Sequence, residues 1–180
     1  MSKLHELILF LSLSIDHAAH NQDPVGHYHD IIAYQEMVEA VAKWVDDNDT
    51  GSTDPDVVMV GTSDHECGGL TLALQRPEDK SAFYGWYPEP VLAATHTTEY
   101  LAADFLKATA NQTDDEKRTY MTETIIKKGL GVTDANNDEI QRALDLAKVS
   151  DSGLSMNIWL ASIISWRAQI GWSTTGHSGV

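Results

Sequence analysis

Basic residues and cysteine are scarce in this sequence. The 180-residue chain has 12 Lys and Arg against 27 Asp and Glu, which gives a formal net charge of −15 at pH 7. That charge repels nucleic acid and anionic membrane surfaces, so we expect neither as a partner. It would also repel a phosphate substrate unless bound cations inverted the local field. The single cysteine, Cys67, excludes an intrachain disulfide framework and leaves the redox compartment open.

Long hydrophobic runs are also lacking. The apolar run at 7–13 is far too short to span a membrane. Glu6 precedes it and no clean cleavage site follows, so we predict a buried strand there, with a secretory signal peptide as the alternative. The Val-rich run at 57–60 predicts a second strand, buried on both faces, and residues 70–74 predict a third.

Helical patterns occupy much of the remaining chain. Between the first two predicted strands, apolar residues recur at steps of three and four, which predicts an amphipathic helix over about 30–46. Pro24 and Gly26 are expected to break the chain before it. Strand, helix and strand in this order predict a right-handed parallel βαβ unit. Further helices are predicted at 97–108, 113–128, 138–148 and 156–168, the second with a capping box of Thr113 and Glu116.

Residues suited to metal binding follow the first two predicted strands. Asp16 and His20 are four residues apart, so one helical turn would place both on one face. Asp64 and His65 follow the second strand directly. Because the carboxyl ends of parallel strands meet at one sheet edge, we expect the two pairs to converge. Carboxylate and imidazole are zinc ligands. His177, in a glycine-flanked tail, is either a further ligand on a loop or a terminal surface residue.

Three short segments give a more specific signal when taken in chain order. They are IDHAAH at 15–20, TSDHECGG at 62–69 and TGH at 175–177. This set resembles the alkaline phosphatase family, and the flanking sequence resembles its fungal and bacterial vacuolar-type members. The resemblance implies an α/β fold of three α/β/α layers with a mostly parallel sheet, incomplete here. Residues 1–180 would form the C-terminal part of one such domain, with a helical insert at about 80–155.

The resemblance also implies roles for individual residues. Asp16, His20 and His177 match the three protein ligands of one catalytic zinc, and Asp64 and His65 match two ligands of a second. His17 falls where family members carry a Lys or His close to the bound phosphate. Two zinc ions about 4 Å apart suit an in-line phosphoryl transfer. Cys67 stands where a small polar residue is usual, and a packing role is favoured over metal binding.

Several of the family's functional residues have no match in this chain. The serine nucleophile, a bridging Asp, a phosphate-binding Arg and a hydroxyl ligand for magnesium all lie upstream of the matched segments. Ser152, in an Asp-Ser-Gly setting, lies on the wrong side of the zinc segments and is rejected as the nucleophile. Leu11 occupies the position of a magnesium-binding Glu. The resemblance therefore covers roughly the C-terminal third of the family, and a truncated or mispredicted gene product is the simplest account.

Two functions are consistent with this pattern. The first is hydrolysis of small phosphate monoesters with two Zn²⁺ and one Mg²⁺, in which this chain supplies most zinc ligands but no catalytic residue. The second is a truncated metal-binding fragment without catalytic activity. The family implies a homodimer for the intact protein. It also implies a location outside the cytosol: vacuolar, periplasmic, membrane-anchored or secreted.

Overall fold

The computed structural model describes residues 13–51, 57–63, 65–72, 74, 81, 85–151 and 153–173. Regular structure in this part of the chain is helical. The helices are α1 (Leu13–His20), α2 (Pro24–Asn48), α3 (Glu89–Ala93), α4 (Thr98–Ala108), α5 (Asp114–Tyr120), a π-helix (Met121–Gly129), α6 (Asn137–Leu146) and α7 (Leu154–Arg167).

The hydrophobic core lies between α4, the π-helix, α6 and α7. Its largest fully buried side chains are those of Met121, Ile125, Ile126, Leu130, Met156, Leu160, Ile163 and Ile164. α7 is apolar around most of its circumference, which is typical of a helix enclosed by its neighbours. Complete burial of one such side chain is worth about 1.5–3 kcal/mol, so this group is a large source of hydrophobic stabilisation.

Capping boxes begin two of the helices. Thr113 and Glu116 form the predicted capping box at the start of α5, so that prediction is confirmed. Asn136 and Glu139 form a second box at the start of α6. In each box, two backbone N–H groups that would lack a helical partner are satisfied by side chains. These short helices therefore begin at positions that the local sequence specifies.

A buried carboxylate joins the first two helices to the core. Asp23 Oδ1 accepts hydrogen bonds from the backbone N–H groups of Val25 at 2.8 Å and Gly26 at 3.2 Å, which caps α2. Its other oxygen accepts from the backbone N–H of Thr98 at 2.8 Å, in the first turn of α4. Thr98 in turn donates from its hydroxyl to buried Asn157 on α7. One carboxylate therefore fixes the α1–α2 corner against α4 and α7.

The predicted α/β fold with a parallel sheet is wrong for the described residues, which are helical and contain no strand. The run at 57–60 is irregular, and Val58 and Val60 are 68% and 85% exposed instead of buried. A strand needs a neighbour to take its backbone hydrogen bonds. Within the described part, strand-like pairing is limited to one antiparallel bridge between Thr71 and Gly171. β-branched residues favour a strand, but they cannot supply its partner.

The other two predicted strands are described only in part, and the βαβ unit is not observed among the described residues. Residues 7–12 lie outside the described part, and Leu13 is the first residue of α1. In the predicted strand at 70–74, Thr71 makes the isolated bridge described above. The βαβ unit is wrong because its second strand is irregular, although its predicted helix at 30–46 exists within α2.

The predicted helices are confirmed, with shifted ends. α2 begins at Pro24 and not after it, because proline is well tolerated in the first turn when a residue such as Asp23 caps the helix. The segment predicted at 113–128 is divided into α5 and the π-helix, in which the Leu130 N–H donates to the Ile125 carbonyl. The helices predicted at 97–108, 138–148 and 156–168 correspond to α4, α6 and α7.

Among the described residues, none of the helices combines the length and the apolar character needed to cross a bilayer.

Removal of the Asp23 carboxylate should destabilise the fold strongly. Asp23→Ala leaves three buried backbone donors without this acceptor, so we expect the free energy of unfolding to fall by about 2–4 kcal/mol. Asp23→Asn keeps one acceptor oxygen and should lie between Asp23→Ala and the wild type. Urea unfolding followed by circular dichroism measures both. Asp114→Ala, an exposed acidic residue in the first turn of α5, is the control, and an equal loss there would contradict the prediction.

The ion pair between Arg167 and Glu139 should make stability depend on pH in acid. Arg167 binds both Glu139 oxygens, at 2.8 and 3.0 Å, and these hydrogen bonds hold the pKa of Glu139 below its usual 4.5. A carboxyl group whose pKa is lower in the folded state stabilises the protein at pH values above its pKa in the unfolded state. This stabilisation is lost as the pH falls through the pKa of the folded state. Glu139→Gln should therefore lower stability at neutral pH and flatten its decline below pH about 4.5.

Urea midpoints measured across this pH range test that expectation. Glu123→Gln is the matched control, because Glu123 pairs with Lys127 at 2.9 Å on the exposed surface, where an ion pair is worth about 0–1 kcal/mol. An unchanged acid profile in Glu139→Gln would show that the pair contributes nothing to the pH dependence.

Candidate functional site

Helix α1 carries the first two predicted ligands. Asp16 Oδ1 and His20 Nε2 are 3.3 Å apart, so the prediction that one helical turn brings them together is confirmed. Both side chains are about one-third exposed, while Ala18 and Ala19 between them are buried. The alanines therefore fix this short helix to the body of the protein and leave the two metal-competent side chains facing an accessible space.

The loop at 65–69 approaches α1 closely because residue 68 is glycine. Gly68 has a φ of +76°, a conformation that side chains other than glycine rarely adopt. A Cβ atom there would lie 2.6 Å from the Trp172 ring and 3.0 Å from the carbonyl oxygen of Ala19. The Glu66 carboxylate accepts the Gly69 N–H at 2.6 Å and closes the turn. This turn holds His65 and Cys67 beside α1.

Four side chains meet where the loop reaches the helix. They form the donor cluster: Asp16, His20, His65 and Cys67, with one ligand atom of each within 4.8 Å of all the others. His65 Nε2 lies 3.7 Å from Asp16 Oδ1. The Cys67 sulfur lies 3.1 Å from both Asp16 Oδ1 and His20 Nε2. The expected convergence of Asp16, His20 and His65 is therefore observed.

A backbone contact determines which nitrogen of His65 can act as a ligand. Its Nδ1 lies 2.8 Å from the carbonyl oxygen of Glu66. A carbonyl can only accept, so this contact requires the proton on Nδ1. The Nε2 lone pair then points to the side of the ring on which Asp16 lies. A carbonyl that holds the remote ring proton is the usual way in which proteins orient a metal-binding histidine.

The donor cluster fits a tetrahedral divalent cation such as zinc. Imidazole, carboxylate and thiolate are its ordinary protein ligands, at about 2.0–2.3 Å. Ligands at such distances from one ion lie about 3.3–3.8 Å from each other. Among Asp16, His20 and Cys67 the separations are 3.1–3.3 Å, and His65 Nε2 lies 3.7 Å from Asp16 Oδ1, while the other pairs lie within 4.8 Å. Asp16, His20 and Cys67 are thus spaced as the ligands of one ion would be.

The segment after α7 lies against the loop that carries His65 and Cys67. Thr71 and Gly171 exchange two backbone hydrogen bonds of 2.8 Å. The Ser173 N–H donates to the Gly68 carbonyl, also at 2.8 Å. The Trp172 indole donates to the Ser165 hydroxyl on α7 at 3.1 Å. The chain therefore passes directly beside the loop of the donor cluster at residue 173.

The remaining predicted site residues are placed differently. His17 is on α1 but is exposed, with Nδ1 3.9 Å from Glu99 Oε2 on α4, and it does not belong to the donor cluster. Asp64, His177 and Leu11 lie outside the described residues.

Cys67 is the cluster member that sequence reasoning assigned to packing. In the structure its sulfur contacts a carboxylate oxygen and two imidazole nitrogens. Its position two residues after His65, directly before two glycines that allow a tight turn, was the available signal. Cysteine is also an ordinary zinc ligand, so its place beside a predicted ligand pair was informative.

Comparison with known proteins identifies the family. The alkaline phosphatase family model matches residues 10–180. The chain is 32% identical over 172 residues to the repressible alkaline phosphatase of Saccharomyces cerevisiae, and 33% identical over 166 residues to the alkaline phosphatase of Schizosaccharomyces pombe. Among solved structures, the cold-active alkaline phosphatase of a psychrophilic Shewanella species superimposes with a TM-score of 0.66 at 25% identity.

Coverage is uneven in these matches. The matches to the two yeast proteins cover 92% of this chain, and the match to the Shewanella enzyme covers 94% of it. The chain spans 28% of each yeast relative and 36% of the Shewanella chain. A match over nearly the whole of this sequence, with the donor cluster inside it, shows that the chain belongs to the alkaline phosphatase family.

Proposed function

We propose that this chain supplies the metal-binding part of a metal-dependent phosphate monoester hydrolase. The observation that carries the proposal is the convergence of Asp16, His20 and His65, from segments 45 or more positions apart: His20 Nε2 lies 3.3 Å and His65 Nε2 lies 3.7 Å from Asp16 Oδ1. Small phosphomonoesters are the substrates that family membership favours. When bound, zinc would stabilise the negative charge that develops on the phosphoryl oxygens.

The proposed ligand sets follow the family assignment. Asp16 and His20, with His177, would hold one zinc, and His65 with Asp64 would hold the second. His17 would lie near the substrate phosphate. A magnesium ion would need residues beyond this set, since Leu11 stands at the position of the family's glutamate. With a net charge of −15, the chain needs such cations before a phosphate can approach.

The chain's own residues contribute orientation and charge. The α1 helix holds Asp16 and His20 one turn apart, and the Glu66 carbonyl orients His65 so that its Nε2 is the ligand atom. Both constraints come from the backbone around the site. A site arranged in advance loses less conformational entropy when it binds, which favours affinity.

The short distance along the chain from Ser173 to His177 supports the inclusion of His177 in the ligand set. Ser173 is hydrogen-bonded to the loop of the donor cluster at Gly68, and His177 is four residues further along the sequence. Four residues span at most about 14 Å. A fold back across this loop is therefore within reach, and the glycines at 176 and 179 permit sharp turns.

The wider context is also part of the proposal. Residues 1–180 would form the C-terminal part of one domain, with about 80–155 as a helical insert. The intact protein would be a homodimer located outside the cytosol. The alternative is a metal-binding fragment without activity of its own, which is favoured by the position of the family's serine nucleophile upstream of the matched segments.

Zinc titration of the 180-residue chain tests the ligand set. His20→Ala should weaken zinc affinity at least tenfold, because each donor also positions the others. His177→Ala should have a similar effect. His29→Ala, an exposed histidine on α2, is the matched control and should change nothing. Calorimetry or a competing chelator gives the affinities. Wild-type affinity in His20→Ala would contradict the site, whereas wild-type affinity in His177→Ala alone would remove only that residue.

Activity of the 180-residue chain separates the two candidate functions. Without the family's nucleophile we expect negligible turnover of p-nitrophenyl phosphate at alkaline pH with added Zn²⁺ and Mg²⁺, because removal of the nucleophile alone abolishes most catalysis in comparable hydrolases. A mock purification gives the background rate. Turnover that survives purification and is lost on chelation would contradict this expectation and show that the chain is itself an enzyme.

A further inference from the structure

We propose that Cys67 binds the cation directly as a thiolate, together with Asp16 and His20, so that the metal centre contains sulfur. This inference rests on the proposed function, since it concerns the same ion. It goes beyond the family assignment, which gives no ligand role to this position. The expected ligand is a thiophilic divalent cation such as Zn²⁺, Co²⁺ or Cd²⁺.

The position of the sulfur is the first argument. Sγ lies 3.1 Å from Asp16 Oδ1, 3.1 Å from His20 Nε2 and 3.4 Å from His65 Nδ1. Two of these atoms, the Asp16 carboxylate oxygen and the His20 Nε2, are proposed ligands of the same ion. An ion within bonding distance of both Asp16 and His20 would therefore lie close to the Cys67 sulfur as well.

The backbone around Cys67 gives the second argument. Gly68, in a left-handed conformation, lies so close to Trp172 and the Ala19 carbonyl that no side chain would fit between them, so the loop runs directly against α1. The Gly69 N–H donates a hydrogen bond to the Glu66 carboxylate, which links the residues before and after the Cys67–Gly68 pair. Residue 67 is therefore held beside α1 by its neighbours on both sides.

Thiolate coordination would change the chemistry of the centre. The thiol loses its proton to solvent when the metal–sulfur bond forms, so Asp16 and Cys67 together would neutralise a divalent cation. Sulfur also favours zinc and similar soft or borderline ions over Mg²⁺ and Mn²⁺, which prefer oxygen. The site would thus select its metal by ligand type as well as by geometry.

Cobalt substitution tests the inference by absorbance. Tetrahedral Co²⁺ absorbs in the visible, and a bound thiolate adds a sulfur-to-metal charge-transfer band in the near ultraviolet. Because Cys67 is the only cysteine, such a thiolate band can come from no other residue. We expect both bands in the wild-type chain, and loss of the near-ultraviolet band alone in Cys67→Ser.

Two results would overturn the inference, and they differ in what they mean for the proposed function. Visible bands without a thiolate band in the wild type would show that Cys67 is only a hydrogen-bond partner of Asp16, and the metal site would stand. Absence of all cobalt bands would remove both the inference and the metal site.

Protection of the thiol gives an independent measurement. Zinc should slow the reaction of Cys67 with Ellman's reagent at least tenfold in the wild type, and a chelator should restore the rate. In His20→Ala the same zinc concentration should protect much less, because the site is incomplete. Equal reactivity with and without zinc, at a concentration at which calorimetry shows binding, would overturn the inference.

Discussion

The structure depends on a single buried carboxylate. Asp23 accepts hydrogen bonds at the start of both α2 and α4, and through Thr98 it is connected to Asn157 on α7. Burial raises the pKa of Asp23, while its hydrogen bonds to the backbone oppose that shift. This interaction sets the position of α1 relative to the core. A residue outside the donor cluster thus determines where half of the cluster lies.

The donor cluster is assembled from segments that contribute little stability by themselves. α1 is eight residues long, and the loop at 65–69 has no regular structure. Close approach at Gly68 and backbone bonds to the segment after α7 bring them together. A cation bound by all of them would stabilise their association, because binding to the folded state alone shifts the folding equilibrium.

Local features were predictable from the sequence and non-local ones were not. The Asp16–His20 spacing and the Thr113–Glu116 cap depend on one helical turn, so residue order was sufficient. The valines at 57–60 indicated a strand, but strand formation depends on partners elsewhere. Convergence of His65 with Asp16 was expected at a sheet edge, and it occurs instead through a glycine turn packed on a helix. Contacts of Cys67 follow from that turn, of which the two glycines after Cys67 were the sign in the sequence.

The uneven burial of α2 has a consequence for dynamics. Its fully buried residues, Pro24, Val25 and Gly26, all lie in the first turn of a 25-residue helix. Local stability should therefore decrease along its length, and the far end should open by fraying long before the capped end does. Such opening would leave the Asp23 corner intact. The distal half of α2, with Trp44 half exposed, can thus rearrange or exchange its amide protons without disturbing the donor cluster.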